Sequence, residues 1–136
     1  FNMVNAMLVR IHQSGLLNEV TGHRLDLVKE GIATYKHYRD QIPSLLPVWP
    51  TGLGQIDDSW FSYGLHGHGE MYLAVWRGVG GAVTQSIDLT AYGKVATIKQ
   101  VYPTDDELIS YAVVGNKLAV NFPREGVARL YKVEFK

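Results

Sequence analysis

The residues whose spacing could support chemistry include two histidines one position apart, His66 and His68. On a β-strand such a pair projects both imidazoles from one face, as metal ligands do. Here the histidines alternate with glycines between two strand-like segments, and only Glu70 is close enough in sequence to act as a third ligand. We therefore interpret the segment as a polar hairpin tip, with a metal site as the weaker alternative, and we predict no cofactor.

Two adjacent carboxylates, Asp57 and Asp58, precede Trp60 and could be taken for the acid pair of a glycosidase. A retaining pair must flank the sugar with its carboxyl groups about 5–5.5 Å apart. Neighbours on an extended segment point in opposite directions, so they do not meet this requirement. The pair is better interpreted as a turn or loop cap.

Other motifs are weaker still. Residues 78–81 follow a predicted strand but open no helix, which favours a hairpin loop over a phosphate cradle. Residues 104–107 match a helix capping box, but the alternation that follows favours a turn. Ser14, Ser44 and Ser59 lack the context of a catalytic nucleophile, and the sequence predicts no catalytic residue.

Aromatic side chains offer a different kind of site, because a flat ring stacks on the face of a pyranose. The candidates for such sugar stacking are Trp49, Trp60 and Tyr63. The alternative is that strand aromatics belong to the core, where each buries about 150–250 Å² of surface. Trp76 is assigned to the core, since it ends a run that is apolar on both faces of a strand.

The elements that position these residues differ between the two halves of the chain. Helical spacing in the first half predicts two helices, the second of which contains Gly31. A glycine costs up to about 1 kcal/mol in a helix, so a close packing contact is expected there. The apolar faces of the two helices comprise Met3, Met7, Leu8 and Ile11 in the first, and Leu25, Val28, Ile32 and Tyr35 in the second.

In the second half the apolar residues recur at every second position. This pattern predicts an antiparallel Greek-key β-sandwich of seven or eight strands, and the whole chain is then an α+β fold. We expect three parts: residues 1–42 as a helical end, 43–58 as an ordered Pro/Gly-rich connector, and 59–136 as the sandwich. The predicted strands cover residues 60–65, 71–76, 84–89, 95–102, 108–114, 117–122 and 127–135.

Composition narrows the function classes. The 136 residues carry 13 basic and 13 acidic side chains, so no charge excess favours nucleic acid or an anionic membrane as a partner. There is no cysteine, which excludes disulfides and thiolate sites and leaves the compartment open, because a chain without thiols tolerates either redox environment. Separately, we favour a cytoplasmic location. The chain opens on Phe1 inside an apolar pattern, as a piece of a longer protein would.

Several segments, taken in order, resemble one enzyme family. Residues 3–15 are similar to the end of the catalytic barrel in bacterial α-galactosidases of the glycoside hydrolase family 36 type, and residues 27–36 resemble the last helix of that barrel. The loops at 66–70 and 78–90 match the family only in the character of their residues and not in the residues themselves. The remaining similar segments are 48–53, 58–60, 63–65, 72–77, 101–103 and 128–131.

This resemblance implies a retaining hydrolase of terminal α-galactosides, such as melibiose or raffinose-type sugars, that uses two aspartates and no metal. Those aspartates would lie upstream of Phe1, because the Lys-x-Asp motif of the family is not found in this chain. The implied partners are the rest of its own barrel, further copies in a homo-oligomer, and the carbohydrate substrate. The chain would then be a non-catalytic supporting portion, and a carbohydrate-binding sandwich that uses exposed aromatics is the alternative.

Overall fold

A computed structural model describes residues 1–104 and 108–136 of the chain. Within these residues two α-helices precede eight β-strands, so the predicted α+β fold is confirmed at this level. The helices are α1 (Asn2–Met7) and α2 (Gly22–Tyr38), with 3-10 turns at Leu17–Glu19, Ile42–Ser44 and Thr90–Tyr92. The strands are β1 (Leu46–Val48), β2 (Trp60–Gly67), β3 (Glu70–Arg77), β4 (Thr84–Asp88), β5 (Val95–Tyr102), β6 (Ser110–Val114), β7 (Lys117–Asn121) and β8 (Val127–Phe135).

The strands form two antiparallel sheets that lie face to face. The larger sheet has the order β1-β2-β3-β8-β5, and the smaller has the order β4-β7-β6. Alternate side chains of β3 enter two separate cores, because successive residues of a strand point to opposite faces. Tyr72 and Trp76 pack with the helices, whereas Leu73 and Val75 pack with the smaller sheet. The larger sheet is therefore the middle of three layers, which explains why β3 is apolar on both faces.

Helix α2 packs through a face that shares only Tyr35 with the predicted one. Its two fully buried residues are Gly31 and Tyr38, while Leu25, Val28 and Ile32 stay half-buried. A methyl group added at Gly31 would lie 2.7 Å from Cε of Met3 and 3.2 Å from the Tyr102 ring, which confirms the expected close contact. Neither helix in the described ranges has the length and apolarity to cross a bilayer.

Helix α1 is shorter than its apolar pattern indicates. It ends at Met7, and Leu8 serves as the C-terminal cap residue. Met7 and Leu8 are both buried against the larger sheet, whereas Ile11 packs at the margin of the same core. The apolar spacing therefore identified the core residues correctly and overestimated the length of the helix.

The Pro-rich segment contributes a strand that alternation did not reveal. Strand β1 pairs with β2 at the edge of the larger sheet, with Pro47 opposite Leu65. An edge tolerates proline because one side of the strand needs no backbone donor. Such a short strand between two other prolines has too few residues to show alternation.

The loop at residues 78–81 differs from the predicted hairpin. It connects β3 in the larger sheet to β4 in the smaller one, and these two strands do not pair. Gly81 has φ of +69°, and a Cβ there would lie 2.6 Å from Cβ of Ser59. The glycines therefore allow the chain to pass closely over Ser59, just before β2, as it changes sheets.

Candidate functional site

A cleft of about 430 Å³ opens where α1, the loop after β1 and strands β2 and β3 meet. Its wall combines aromatic rings with side-chain amides and a hydroxyl, and it carries no carboxylate, imidazole or ammonium group among the described residues. Such a lining suits the binding of a neutral polar ligand rather than acid–base chemistry. The lining residues are Asn5, Trp49, Gly54, Gln55, Ile56, Phe61, Ser62, Tyr63 and Trp76.

The rim of the cleft is formed by Trp49 and Tyr63. Pairing of β1 with β2 places Val48 opposite Gly64 and so brings the two rings together, with centroids 5.6 Å apart and planes inclined by 54°. The Trp49 side chain is 44% exposed, whereas Tyr63 is half-buried. One flat indole is therefore available to solvent beside a supporting ring.

The floor of the cleft is a stacked aromatic pair. The rings of Phe61 and Trp76 lie 5.1 Å apart with an angle of 13° between their planes. The indole N–H of Trp76 donates a 2.7 Å hydrogen bond to Oδ1 of Asn5. This bond leaves the amide NH₂ of Asn5 as a further donor at the cleft.

The loop that carries Trp49 is held at both ends. Near its start, Thr51 and Ser62 share hydrogen bonds through their hydroxyls and main-chain N–H groups, at 3.0–3.2 Å. Near its end, the main-chain N–H of Gln55 donates a 2.7 Å hydrogen bond to Oδ2 of Asp58. A loop tied in this way presents its side chains with little ordering cost on binding.

Trp60 does not join the other two sugar-stacking candidates. Its indole N–H donates to the carbonyl of Ala82 at 2.9 Å, and its ring lies 5.2 Å from that of Phe122 in the core between the sheets. Trp60 and Tyr63 are three positions apart on one strand, so they face opposite sides of the sheet. The structure therefore brings Trp49 and Tyr63 together and places Trp60 elsewhere.

Asn5, Gln55 and Phe61 line the cleft without having been predicted as site residues. Phe61 could have been predicted from Tyr63, because residues two positions apart on one strand lie on the same face of the sheet. No local pattern identifies Asn5, which is brought in by the packing of α1 on the larger sheet.

The two histidines occupy a tight hairpin between β2 and β3. His68 and Gly69 form the turn with φ of +55° and +74°, the left-handed conformation that two-residue hairpins require. The His66 ring packs 5.5 Å from Tyr92 and 5.4 Å from Phe135, while His68 is exposed. Within the described ranges no three acidic or histidine side chains gather as metal ligands.

The Asp57–Asp58 pair lies in the loop before β2. Both residues are exposed, and Asp58 caps the turn that begins at Gln55, as a loop cap was predicted to do. Of the capping-box motif at residues 104–107, only Thr104 lies within the described residues. Its N–H and hydroxyl both donate to Oε1 of Glu30 on α2.

One ion network lies on the helix-facing side of the larger sheet. Nζ of Lys132 is 2.8 Å from Glu70 and 3.3 Å from Glu134. The hydrogen bond to Glu70 is the main cause of a raised pKa of Lys132, and a hydrogen bond from Thr97 is the main cause of a lowered pKa of Glu134. The ammonium group is thus neutralised by its neighbours, which indicates a structural role for the network.

By fold and site, the chain is a small α+β domain in which a central sheet lies between helices and a second sheet, with an open, aromatic-lined cleft at one edge. The sequence and structure match no model of a known protein family, no curated protein and no solved structure. The layered packing and the aromatic cleft are therefore the features of the chain that bear on its function.

Proposed function

We propose that this chain is the non-catalytic C-terminal portion of a retaining α-galactosidase of the family 36 type. In this proposal α1 and α2 are the end of the catalytic barrel, the strands form a Greek-key sandwich, and the two catalytic aspartates lie upstream of Phe1. The complete protein would hydrolyse terminal α-galactosides and form a homo-oligomer. The order of the similar segments along the chain supports this assignment.

The observation that carries the proposal is the apolar stripe of α2. Leu25, Val28 and Ile32 lie on one side of the helix, and all three are half-buried. None of them is among the apolar side chains that pack on the two cores of the described residues. A stripe of this kind fits a helix that packs on further barrel elements, because large apolar surfaces are usually covered.

The sandwich is suited to a supporting role because it is joined to the helices by a common core. Val4 and Met7 of α1 and Tyr38 of α2 pack in one cluster with Leu65 and Leu130 of the larger sheet. A Greek-key connection is supported by the position of β8 between β3 and β5, which are not neighbours in sequence. Movement of the helices would therefore require movement of the sheet.

Two measurements test the assignment directly. The gene region upstream of Phe1 should encode a barrel with a Lys-x-Asp strand motif, and its absence would overturn the family assignment. The isolated chain should not turn over a chromogenic α-galactoside. Measurable turnover that copurifies with the chain would show that it has its own catalytic groups.

The apolar stripe allows a sharper test with a matched pair of variants. Ile32→Lys should lower the Tm of the complete protein by several degrees, because the charge would be buried against the barrel. In the isolated chain the same variant should change the free energy of unfolding by less than about 0.5 kcal/mol. Ala33→Lys, at an exposed neighbouring position, should have little effect in either context. An equal effect of Ile32→Lys in both would refute the docking of α2 on a barrel.

A second candidate function is carbohydrate binding at the aromatic cleft. The exposure of Trp49 beside Tyr63, with amide groups nearby, favours stacking of a pyranose ring accompanied by hydrogen bonds to its hydroxyls. A sugar in an open cleft stays partly solvated, so we expect weak binding, with a Kd on the order of 1–10 mM.

Titration with galactose and melibiose, followed by tryptophan fluorescence, tests this candidate. The signal should change in the native chain and in Trp60→Phe, whose ring lies on the opposite face of β2, and it should be lost in Trp49→Ala. A response that persists without Trp49, or no response in the native chain at saturating sugar, would exclude the cleft as a sugar site.

A further inference from the structure

Among the described strands, the most exposed is β6, at one edge of the smaller sheet. All five of its residues, Ser110–Val114, are exposed, although three of them are large and apolar. The strand contains no charged residue and no proline. An apolar edge of this kind presents unpaired backbone N–H and C=O groups to any strand that can reach it.

The other three sheet edges carry features that discourage pairing. Strand β1 contains Pro47, and β5 contains Lys99 together with two register irregularities. Strand β4 ends in Asp88, whose carboxylate lies 3.8 Å from Lys117. Prolines, charged side chains and bulges are the usual means by which proteins protect sheet edges. Among the described strands, β6 is thus the edge left open.

The inner side chains of β6 are also only partly covered, at the margin of the core between the sheets. Tyr111 and Val113 face the same side as their neighbours on β7, Val120 and Leu118, which are 2% and 0% exposed. Tyr111 and Val113 remain 37% and 45% exposed. The Tyr111 ring contacts Tyr131 at a centroid distance of 5.2 Å, so it extends the core to the edge.

We propose that β6 pairs antiparallel with β6 of a second copy of this chain, about a two-fold axis at Ala112. The two smaller sheets then join into one sheet of six strands. Tyr111 of each copy lies opposite the partner's Val113, and both apolar side chains are covered. This pairing does not depend on the galactosidase proposal, because the exposure, the composition and the edge position of β6 are properties of the described strand itself.

A second copy fits this edge better than an unrelated partner for two reasons. Tyr111 and Val113 flank Ala112, so reversal of direction about that residue pairs apolar with apolar at these two positions. The chain carries equal numbers of basic and acidic residues, so two copies have no net charge to repel them. Pairing of five residues buries less than about 1,200 Å², so the dimer is weak and depends on concentration.

Cysteine cross-linking tests the register, because the chain contains no cysteine of its own. Directly opposed residues of antiparallel strands have Cα atoms about 4.5–5.5 Å apart, within the range of a disulfide. Ala112→Cys should therefore form a disulfide-linked dimer under mild oxidation. Thr84→Cys, on the β4 edge of the same sheet, is the matched control and should stay largely monomeric. Equal cross-linking of the two variants, or none at position 112, would overturn the proposal.

Sedimentation velocity provides a test without cysteine. The dimer fraction of the native chain should rise with protein concentration, and Val113→Lys should abolish that rise, because it places a charge at the new interface. Val79→Lys, in a loop where the side chain is 80% exposed, should dimerise like the native chain. A native chain that stays monomeric to its solubility limit, or a Val113→Lys variant that still dimerises, would refute the pairing.

Discussion

Two tyrosines of α2 allow the stability of the packing between the helices and the larger sheet to be measured. The hydroxyl of Tyr38 donates a 2.7 Å hydrogen bond to the carbonyl of Met7, and this bond is buried. The hydroxyl of Tyr35 donates a 3.1 Å bond to the carbonyl of Val9, and this bond is exposed. Tyr38→Phe and Tyr35→Phe therefore remove the same kind of bond in two different environments.

The two substitutions should differ several-fold in cost. Tyr38→Phe keeps the ring stacked on Tyr72 at 4.3 Å, so the change isolates the hydroxyl. The buried carbonyl of Met7 then loses its partner, which costs about 1–3 kcal/mol. At Tyr35 water can replace the lost bond, and the cost should stay below about 0.5 kcal/mol. For a chain of this length, a loss of about 1.5 kcal/mol lowers the Tm by about 5 °C.

Urea unfolding, followed in parallel by far-UV circular dichroism and tryptophan fluorescence, provides the measurement. Trp76 is a suitable probe because it lies in the core that the helices share with the sheet. The two signals should report one transition, shifted to lower urea in Tyr38→Phe. Equal stabilities of the two variants would refute the difference in cost between the buried and the exposed bond, and separate transitions for helix and sheet would refute a common core.

Three further predictions concern pH and glycine positions. Burial raises the pKa of Tyr38 and of Tyr131 in the folded state. Both tyrosines ionise near pH 10 in the unfolded chain and stay protonated in the folded one. The free energy of unfolding should therefore be constant below about pH 10 and fall above it by about 1.4 kcal/mol per pH unit for each group. Urea midpoints that stay constant across about pH 9 to 11 would contradict this. Gly31→Leu should cost about 1–3 kcal/mol by overlap with the Tyr102 ring, and a Tm equal to that of the native chain would show that the contact relaxes freely. Gly69→Ala meets no atom within 4 Å but keeps φ at +74°, so thermal unfolding should show a loss of about 1 kcal/mol from conformation alone, and a gain would argue against the left-handed turn.

Local sequence patterns were sufficient for most of the secondary structure. Strands β5 and β8 have the predicted bounds, and the other five predicted strands are present with ends shifted by one or two residues. These elements follow from alternation and turn residues, which act over a few positions. Strand β1 could not be recognised in this way, because it depends on a partner that lies more than a dozen residues away.

The candidate site depended much less on local pattern. The sequence identified Trp49, Trp60 and Tyr63 as a set, but strand parity separates Trp60 from Tyr63. Only the pairing of β1 with β2 places Trp49 next to Tyr63, and only the docking of α1 supplies Asn5. The cleft is thus a product of three elements that no sequence window contains together.

By itself the sequence determined an α+β chain with helices first and strands afterwards, a close contact at Gly31, and aromatic side chains available for a site. The tertiary structure decided which faces those elements bury, since each face depends on contacts between distant segments. It separated the aromatics into a cleft and a core, and left α2 with a half-buried apolar stripe. It also left β6 exposed, because the exposure of an edge strand depends on where its sheet ends and not on the residues of the strand.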